Sequence, residues 1–511
     1  MTGEELDVAQ VGPRRTVRFG TAESSSPSGV ALLSSGQRAA LLWVFALYAV
    51  LSSGTFLLDI FETFDSLEYL SPFGGGGFHG RRLPLYPTLV AGLGYLLEDA
   101  SLAGQLISKG CVLGTGLILF GLLARLFGAF AACCATLLLG VLPLTVLQSS
   151  TVHPFGLYGL LLVLCAERLV RSVESGRTDP LGAAAAAAGL AALTRPEGFT
   201  LVGLVALWQL VVFLRRQAVS WRSWIGGDLV MAAAVGWFLL HPGYAQQAVR
   251  FSEKGSLALT SEYLLAYLRA YPMLLGWLAL PFCFVGLVPE HTLPGEGSLS
   301  SARRAYFGIA LFILASDLAL LTTPSGWGPV YLYPTTLLLT GFFGRSLERL
   351  RRLRGGRWFA PLALVGCMAL ALTEAVPALL EYRKMLAPFH EASVFAAAHA
   401  TRNSVQTSDV PHTQCWTNLR AVSYRRRLAR PGALIVLEDF FFNQRGNNLE
   451  AELAWLASEH RAEILFDQRG EYRPVLASTV LTVDPPASFT PRVLELRHMP
   501  QPMRAVVLRI P

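Results

Sequence analysis

The sequence predicts an all-α polytopic membrane bundle of about eleven spans, followed by a small C-terminal α/β domain on the non-cytosolic side. Three observations predict it. First, the 511 residues are 53% hydrophobic and 15% charged, with mean hydropathy +0.45, whereas soluble domains carry roughly 25% charge. Second, apolar segments follow one another closely from residue 38 to 380. Third, arginines cluster between alternate segments, as the positive-inside rule requires. The net charge of +7 therefore reads as topology. No zinc-finger, RNA-binding or P-loop motif points to a nucleic-acid partner.

The first 37 residues are polar and rich in Ser, Gly and Arg, the composition of a disordered cytosolic tail. The first apolar run, 38–58, is too long and too far in for a cleaved signal peptide and is expected as a first span. Further candidate spans are 84–97, 101–124, 127–147, 154–170, 181–194, 197–214, 226–242, 265–288, 305–322, 329–344 and 358–380. Several fall short of the roughly 20 residues a perpendicular helix needs, which a large bundle tolerates.

Orientation follows from the basic loops. Arg14, Arg15 and Arg18 precede the first span; Arg168, Arg171 and Arg177 form one group, and Arg215, Arg216 and Arg222 another. Arg303 pairs with Arg304, and Arg345, Arg351, Arg352, Arg354 and Arg357 form the densest cluster. Placing these in the cytosol leaves Gln148–Pro154, Thr194–Gly198, His241–Glu262, Thr322–Pro329 and everything after 381 on the far side. A cytosolic start and a far-side end need an odd number of crossings. One early segment is therefore expected not to cross fully, and 84–97 is short and opens Pro84-Leu85-Tyr86-Pro87.

The expected layout is a tail over 1–37, a membrane core over 38–380 with its first far-side loop at 59–83, and a far-side α/β domain over 381–511. In that domain, helical spacing of Leu449, Leu453, Leu456 and Ala457 is flanked by strand-like runs at 433–437, 464–466, 475–483, 493–496 and 506–510. Six of the seven cysteines lie in apolar segments and only Cys415 in the polar tail. No metal-ligand spacing such as C-x-x-C occurs, so structural zinc and a disulfide scaffold are not expected.

The loop after the first span carries the chemistry. Asp59, Glu62, Asp65 and Glu68 fall within ten residues. On a helix, Glu62 and Asp65 share a face, as do Asp65 and Glu68. Carboxylates beside a low-dielectric bundle can serve as a general base; an acidic loop can also simply be solvated. Gly74–Gly77 supply a turn, and His79, Arg81 and Arg82 return positive charge to the same side. Arginine retained on the far side points to an anionic ligand such as a phosphate, or to pairing with the loop's own acids.

These residues resemble the first loop of glycosyltransferase family 22, which includes the dolichyl-phosphate-mannose-dependent mannosyltransferases of N-glycan and GPI-anchor assembly. Glu62, Phe64, Leu67 and Glu68 match that pattern in register, and Gly74–Gly77 and Arg82-Leu-Pro-Leu-Tyr-Pro87 continue it. Asp59-Ile60-Phe61 stands where the family has His-Pro-Asp. Leu193-Thr-Arg195-Pro-Glu197-Gly198 resembles its mid-chain Arg-Pro element, and Val330-Tyr331-Leu-Tyr333-Pro334 its late aromatic-Tyr-Pro element.

The resemblance implies a GT-C-like fold. It also implies an inverting transfer of a hexose, most readily mannose, from a polyprenyl or dolichyl phosphate to a lipid-linked glycan or GPI precursor. The base would be Asp59, Glu62, Asp65 or Glu68, the phosphate site His79, Arg81, Arg82 and Arg195, and the sugar contacts Trp327 and Tyr331. No cofactor is required by it, with a divalent metal left open. The expected partners are membrane lipid, the sugar donor and a glycolipid acceptor. The expected site is the endoplasmic reticulum membrane, or a bacterial inner membrane.

Other readings stay open residue by residue. Arg195 with Glu197 can be a helix-end pair snorkelling to water. His153 and His241 read as helix-end residues. Asp317, within an apolar run, is expected to face the bundle. Glu253 and Lys254 read as solvated. Trp327 and Tyr331 can be interfacial belt anchors. At the level of the whole chain, a transporter or flippase and a non-catalytic subunit of a glycosylation complex are the competing functions. A transporter would show two related halves and mid-bilayer charge pairs, which the sequence lacks.

Overall fold

A computed structural model describes residues 35–53, 69, 83–98, 100–241, 275–288, 300–321, 332–353, 355–399, 414–415, 431, 434–438, 449–470 and 504–511. By contact the chain divides into Met1–Val44 and Phe45–Pro511. The first helix, α1 (Ser35–Ser53), begins in the first unit.

The helices follow the apolar segments in order. They are α2 (Leu85–Leu97), α3 (Ala100–Phe127), α4 (Ala129–Val141), α5 (Pro143–Ser150), α6 (Phe155–Ser175), α7 (Asp179–Thr194), α8 (Gly198–Leu214), α9 (Trp221–Leu240), α10 (Ala279–Leu287), α11 (Ser301–Leu321), α12 (Tyr333–Arg352) and α13 (Gly356–His399). The 127–147 segment is a bent pair rather than one rod. Pro143 lacks the N–H that would continue α4 and pushes Leu142 into an extended conformation (ψ 135°), so α5 leaves at 64°.

Among the described residues, Ala100–Phe127, Trp221–Leu240 and Gly356–Pro377 are long and apolar enough to cross a membrane, and the bent pair is a fourth candidate. Helices α2, α7 and α8 are apolar but run only 13, 16 and 17 residues. The bundle turns many large apolar side chains outward. Leu210, Phe213 and Leu214 on α8, Leu229 and Leu239 on α9, and Phe359, Leu362 and Val365 on α13 are all exposed, the pattern of a surface meant for lipid.

Helix α2 runs antiparallel beside the start of α3. The Tyr86 hydroxyl donates to the Gly104 carbonyl at 3.2 Å and lies 2.9 Å from the Ser108 hydroxyl, while the opposite end of α2 reaches Ala100 within three residues. The alanine-rich α7 packs backbone to backbone on α9. A Cβ on Gly227 would sit 2.1 Å from the Gly182 carbonyl oxygen, the close approach that small residues allow between membrane helices.

The two ends of the bundle differ in charge. At one end Arg125 bonds Glu167 and Glu174, Arg303 donates to the Leu126 carbonyl, and Arg345 and Arg349 donate to carbonyls of Gly286, Val285 and Val288. The neighbouring ends of α6, α8 and α12 add Arg168, Arg171, Arg215, Arg216, Arg351 and Arg352. Opposite lie the end of α5 and the beginnings of α6, α8 and α12, where Lys109 and Arg195 are buried cations. The positive-inside rule would put the basic end in the cytosol.

Helix α13 continues through residue 380 to His399, despite Pro361, Pro377 and Pro388. Its 44 residues amount to about 66 Å at 1.5 Å per residue, more than twice the roughly 30 Å hydrocarbon core. Its far end meets a four-stranded sheet ordered β1 (Gln414–Cys415), β2 (Leu434–Glu438), β4 (Arg504–Arg509), β3 (Glu463–Arg469). β1 and β2 are parallel and the other pairs antiparallel. Helix α14 (Leu449–His460) seats Leu449, Leu453 and Leu456 on Ile435, Leu437, Val506 and Leu508 of the sheet. The Phe395 and Phe466 rings, 5.2 Å apart, join α13 to β3. The runs at 475–483 and 493–496 lie outside the described residues.

Candidate functional site

The far end of the bundle is built from a tight corner. Helix α7 stops at Thr194, Arg195 is extended (φ −148°, ψ 146°), and its N–H still reaches the Ala191 carbonyl at 2.9 Å. Pro196 and Glu197 turn the chain, and α8 starts at Gly198. Only glycine fits there, because a Cβ on Gly198 would lie 2.3 Å from the Ala191 carbonyl carbon.

This corner aims Arg195 and Glu197 at each other. The guanidinium donates through Nε to Oε2 at 3.0 Å and through Nη2 to Oε1 at 2.7 Å. The pair is buried, with side chains 8% and 11% exposed, so it does not snorkel to water. The guanidinium also lies 3.6 Å from the centre of the Phe155 ring. A forked, charge-assisted pair over an aromatic face is among the stronger polar arrangements at low dielectric.

From Phe155 a stack of rings runs back to Tyr69. His153 lies flat on Phe155, with centroids 4.9 Å apart. Tyr69, which directly follows Glu68, meets His153 edge-on at 5.7 Å and Tyr86 at 5.5 Å. Tyr69 is buried, two rings removed from Arg195.

On the other side of the corner, buried Asp317 accepts from the Thr335 N–H at 3.1 Å and from the Thr335 hydroxyl. It caps the start of α12 from a different helix and faces the bundle as the sequence predicts. Glu197 lies within electrostatic reach of Asp317, and both act on the buried Tyr158 hydroxyl together with Arg195. The Ser316 hydroxyl donates to that of Thr200 at 3.1 Å, tying α11 to α8.

Beneath the ring stack is a polar interior that the sequence reading missed. All eight residues of α5 are buried. Lys109 on α3 points its ammonium at the Ser149 carbonyl, 3.5 Å away. The Gln148 Oε1 and the Tyr333 hydroxyl are buried without a hydrogen-bond partner among the described residues. Buried polar atoms left so are costly, and such groups mark places where a ligand or water completes the set. Lys109 was visible in the sequence as the one lysine inside the 101–124 segment, and an ionisable residue there is a functional candidate by default.

Of the residues expected to form the site, Arg195 is placed, in the buried pair just described. Asp59, Glu62, Asp65, Glu68, His79, Arg81, Arg82, Trp327 and Tyr331 lie outside the described residues. His241 closes α9, its Nδ1 2.8 Å from the Trp237 carbonyl and its ring stacked on Trp237 at 4.1 Å, a helix-end residue as expected. Among the described residues no three His, Cys, Asp or Glu side chains converge as metal ligands.

Sequence comparison matches the chain to no family model and to no curated protein. Solved structures do match. ArnT from Cupriavidus metallidurans in the apo state is similar at 15% identity and TM-score 0.50, over 85% of this chain and 97% of that one. The same protein bound to undecaprenyl phosphate is similar at 15% identity and TM-score 0.53, over 84% and 96%. An oligosaccharyltransferase from Archaeoglobus fulgidus, in complex with zinc and sulfate, is matched at 14% identity over 64% of this chain and 53% of that one. Its TM-score of 0.41 is too low to bear on the fold. The chain shares the ArnT fold over most of its own length and almost the whole of that protein's.

Proposed function

We propose that this protein is a membrane glycosyltransferase of the GT-C type, transferring a sugar from a polyprenyl-phosphate donor to a lipid-linked acceptor at the non-cytosolic face. The observation that carries the proposal is the buried Arg195, stacked through Phe155 and His153 on Tyr69, the residue that follows Glu68 in the sequence. A base and a phosphate-binding cation are the two groups such a transfer needs. The fold supports the donor class, since ArnT of that fold has been crystallised with undecaprenyl phosphate.

In the proposed reaction the acceptor hydroxyl attacks the anomeric carbon. The bond from that carbon to the phosphate oxygen breaks, inverting the configuration, and polyprenyl phosphate departs with the electron pair. Asp59, Glu62, Asp65 or Glu68 takes the hydroxyl proton, help worth roughly 10²–10⁴-fold. Arg195, with His79, Arg81 and Arg82, stabilises the charge gathering on the phosphate. Trp327 and Tyr331 hold the sugar.

In the finer reading the sugar is mannose, the donor dolichyl-phosphate mannose and the acceptor a glycan or GPI precursor in the endoplasmic reticulum membrane. The ArnT likeness favours the wider polyprenyl-phosphate class, which includes a bacterial inner membrane. The topology proposed with it has about eleven crossings, with α2 lying along the start of α3 instead of crossing, and residues 381–511 on the same side as the reaction. Single Glu62→Gln, Asp65→Asn and Glu68→Gln variants test the loop. Loss of transfer in at least one is expected, and full activity in all, with Asp59→Asn, discards it.

A further inference from the structure

The opposite end of the bundle holds a cavity that the proposed reaction does not use. Helices α8 and α11 are tied at the far end by Ser316 and Thr200 but separate toward the cytosol. The gap between them, closed behind by the end of α6, is a cavity of about 610 Å³, within the roughly 300–1,000 Å³ of small-molecule sites. Leu207, Val211 and Phe312 line its walls, and Arg177, Arg215 and Gln217 stand at its cytosolic mouth. Leu207 and Val211 are exposed as well as lining it, so the wedge is open along α8.

Its chemistry is graded along its length, hydrocarbon within and cationic at the rim. Arg215 is exposed at the end of α8, and Arg177 is held beside the mouth by Asp179 at 3.0 Å. On α11, Gly308 leaves the wall open, and a Cβ there would meet nothing within 4 Å.

We infer that this wedge binds an anionic glycerophospholipid of the cytosolic leaflet, with one acyl chain between α8 and α11 and its phosphate at Arg215. Charge complementarity selects this occupant. The cytosolic leaflet is the anionic one, and each arginine near its surface favours an acidic headgroup about fivefold. A neutral lipid satisfies the walls but not the rim, and a soluble anion the rim but not the walls.

The test uses the full chain in phosphatidylcholine nanodiscs doped with phosphatidylglycerol bearing a photoreactive acyl chain. Cross-links are expected on peptides containing Leu207–Val211 and Gly308–Phe312, well above those from an equally labelled phosphatidylcholine. Gly308→Leu should fill the wedge and remove most of this labelling without changing the thermal midpoint. Arg215→Ser should cut the preference for phosphatidylglycerol by about fivefold. Equal labelling by both lipids, insensitive to Gly308→Leu, would mean ordinary boundary lipid and overturn the inference. Cross-linking of a probe at position 308 to the chain's own segment 242–274 would overturn it too.

Discussion

The Arg195 guanidinium forks onto the Glu197 carboxylate while lying 3.6 Å from the centre of the Phe155 ring. Removing one member of a buried ion pair strands the other and costs about 3–5 kcal/mol. Arg195→Ala and Glu197→Ala should each lower the thermal midpoint sharply. The double change Arg195→Met with Glu197→Leu should recover much of the stability, because no charge is left buried, but none of the sugar transfer. Recovered transfer in the double variant would reduce the pair to a structural strut.

The corner that presents this pair depends on Gly198. Gly198→Ala drives a methyl into the Ala191 backbone, an overpacking that costs about 1–3 kcal/mol. Transfer should fall more than folding yield, since the displaced group is Arg195. Gly308→Ala, at a position with open space, serves as the control and should be neutral in both assays.

Asp317 holds the start of α12 through Thr335. Asp317→Asn keeps an acceptor oxygen and should be mild. Asp317→Ala leaves buried donors unsatisfied, a loss of about 1–3 kcal/mol. A thermal-shift comparison of the two variants in detergent separates cap from bystander. Equal midpoints would show that the bond contributes nothing.

The C-terminal sheet should carry a pH signature. Hydrogen bonds from Arg504, joining β4 to β3, hold the Asp467 carboxyl below the usual carboxylate range. The lowered folded value means that the pair's stabilisation is fully present above the unfolded value, about 3.9. It disappears as pH falls through the lowered folded value. Tail unfolding followed by proteolysis should therefore speed up below about pH 4. Asp467→Asn should flatten that dependence without changing stability's trend near neutrality.

Much of the fold is legible in the sequence because lipid-facing helices need unbroken apolar runs, and each such run carries a helix. The gathering of arginines at one end of the bundle is legible because they recur between alternate apolar segments. The kink at Leu142–Pro143 is not, since hydropathy over 127–147 averages across it. Arg195 and Glu197 are legible as a pair, but their burial is not. That depends on the Phe155 ring lying over the guanidinium, and in sequence aromatics at helix ends look like interfacial anchors. The polar floor of Lys109 and Gln148 arises only when α3 and α5 meet, far apart along the chain.

The central claim is tested most directly by purified protein in proteoliposomes given a radiolabelled polyprenyl-phosphate hexose and a lipid-linked acceptor. The proposed function predicts label transfer to the acceptor with matching release of polyprenyl phosphate. It also predicts loss of both in Arg195→Ala and in at least one of the Asp59, Glu62, Asp65 and Glu68 amide variants. Undiminished turnover in all of these variants, or a wild-type protein inert toward every polyprenyl-phosphate sugar while it restores a partner enzyme's activity, would contradict it.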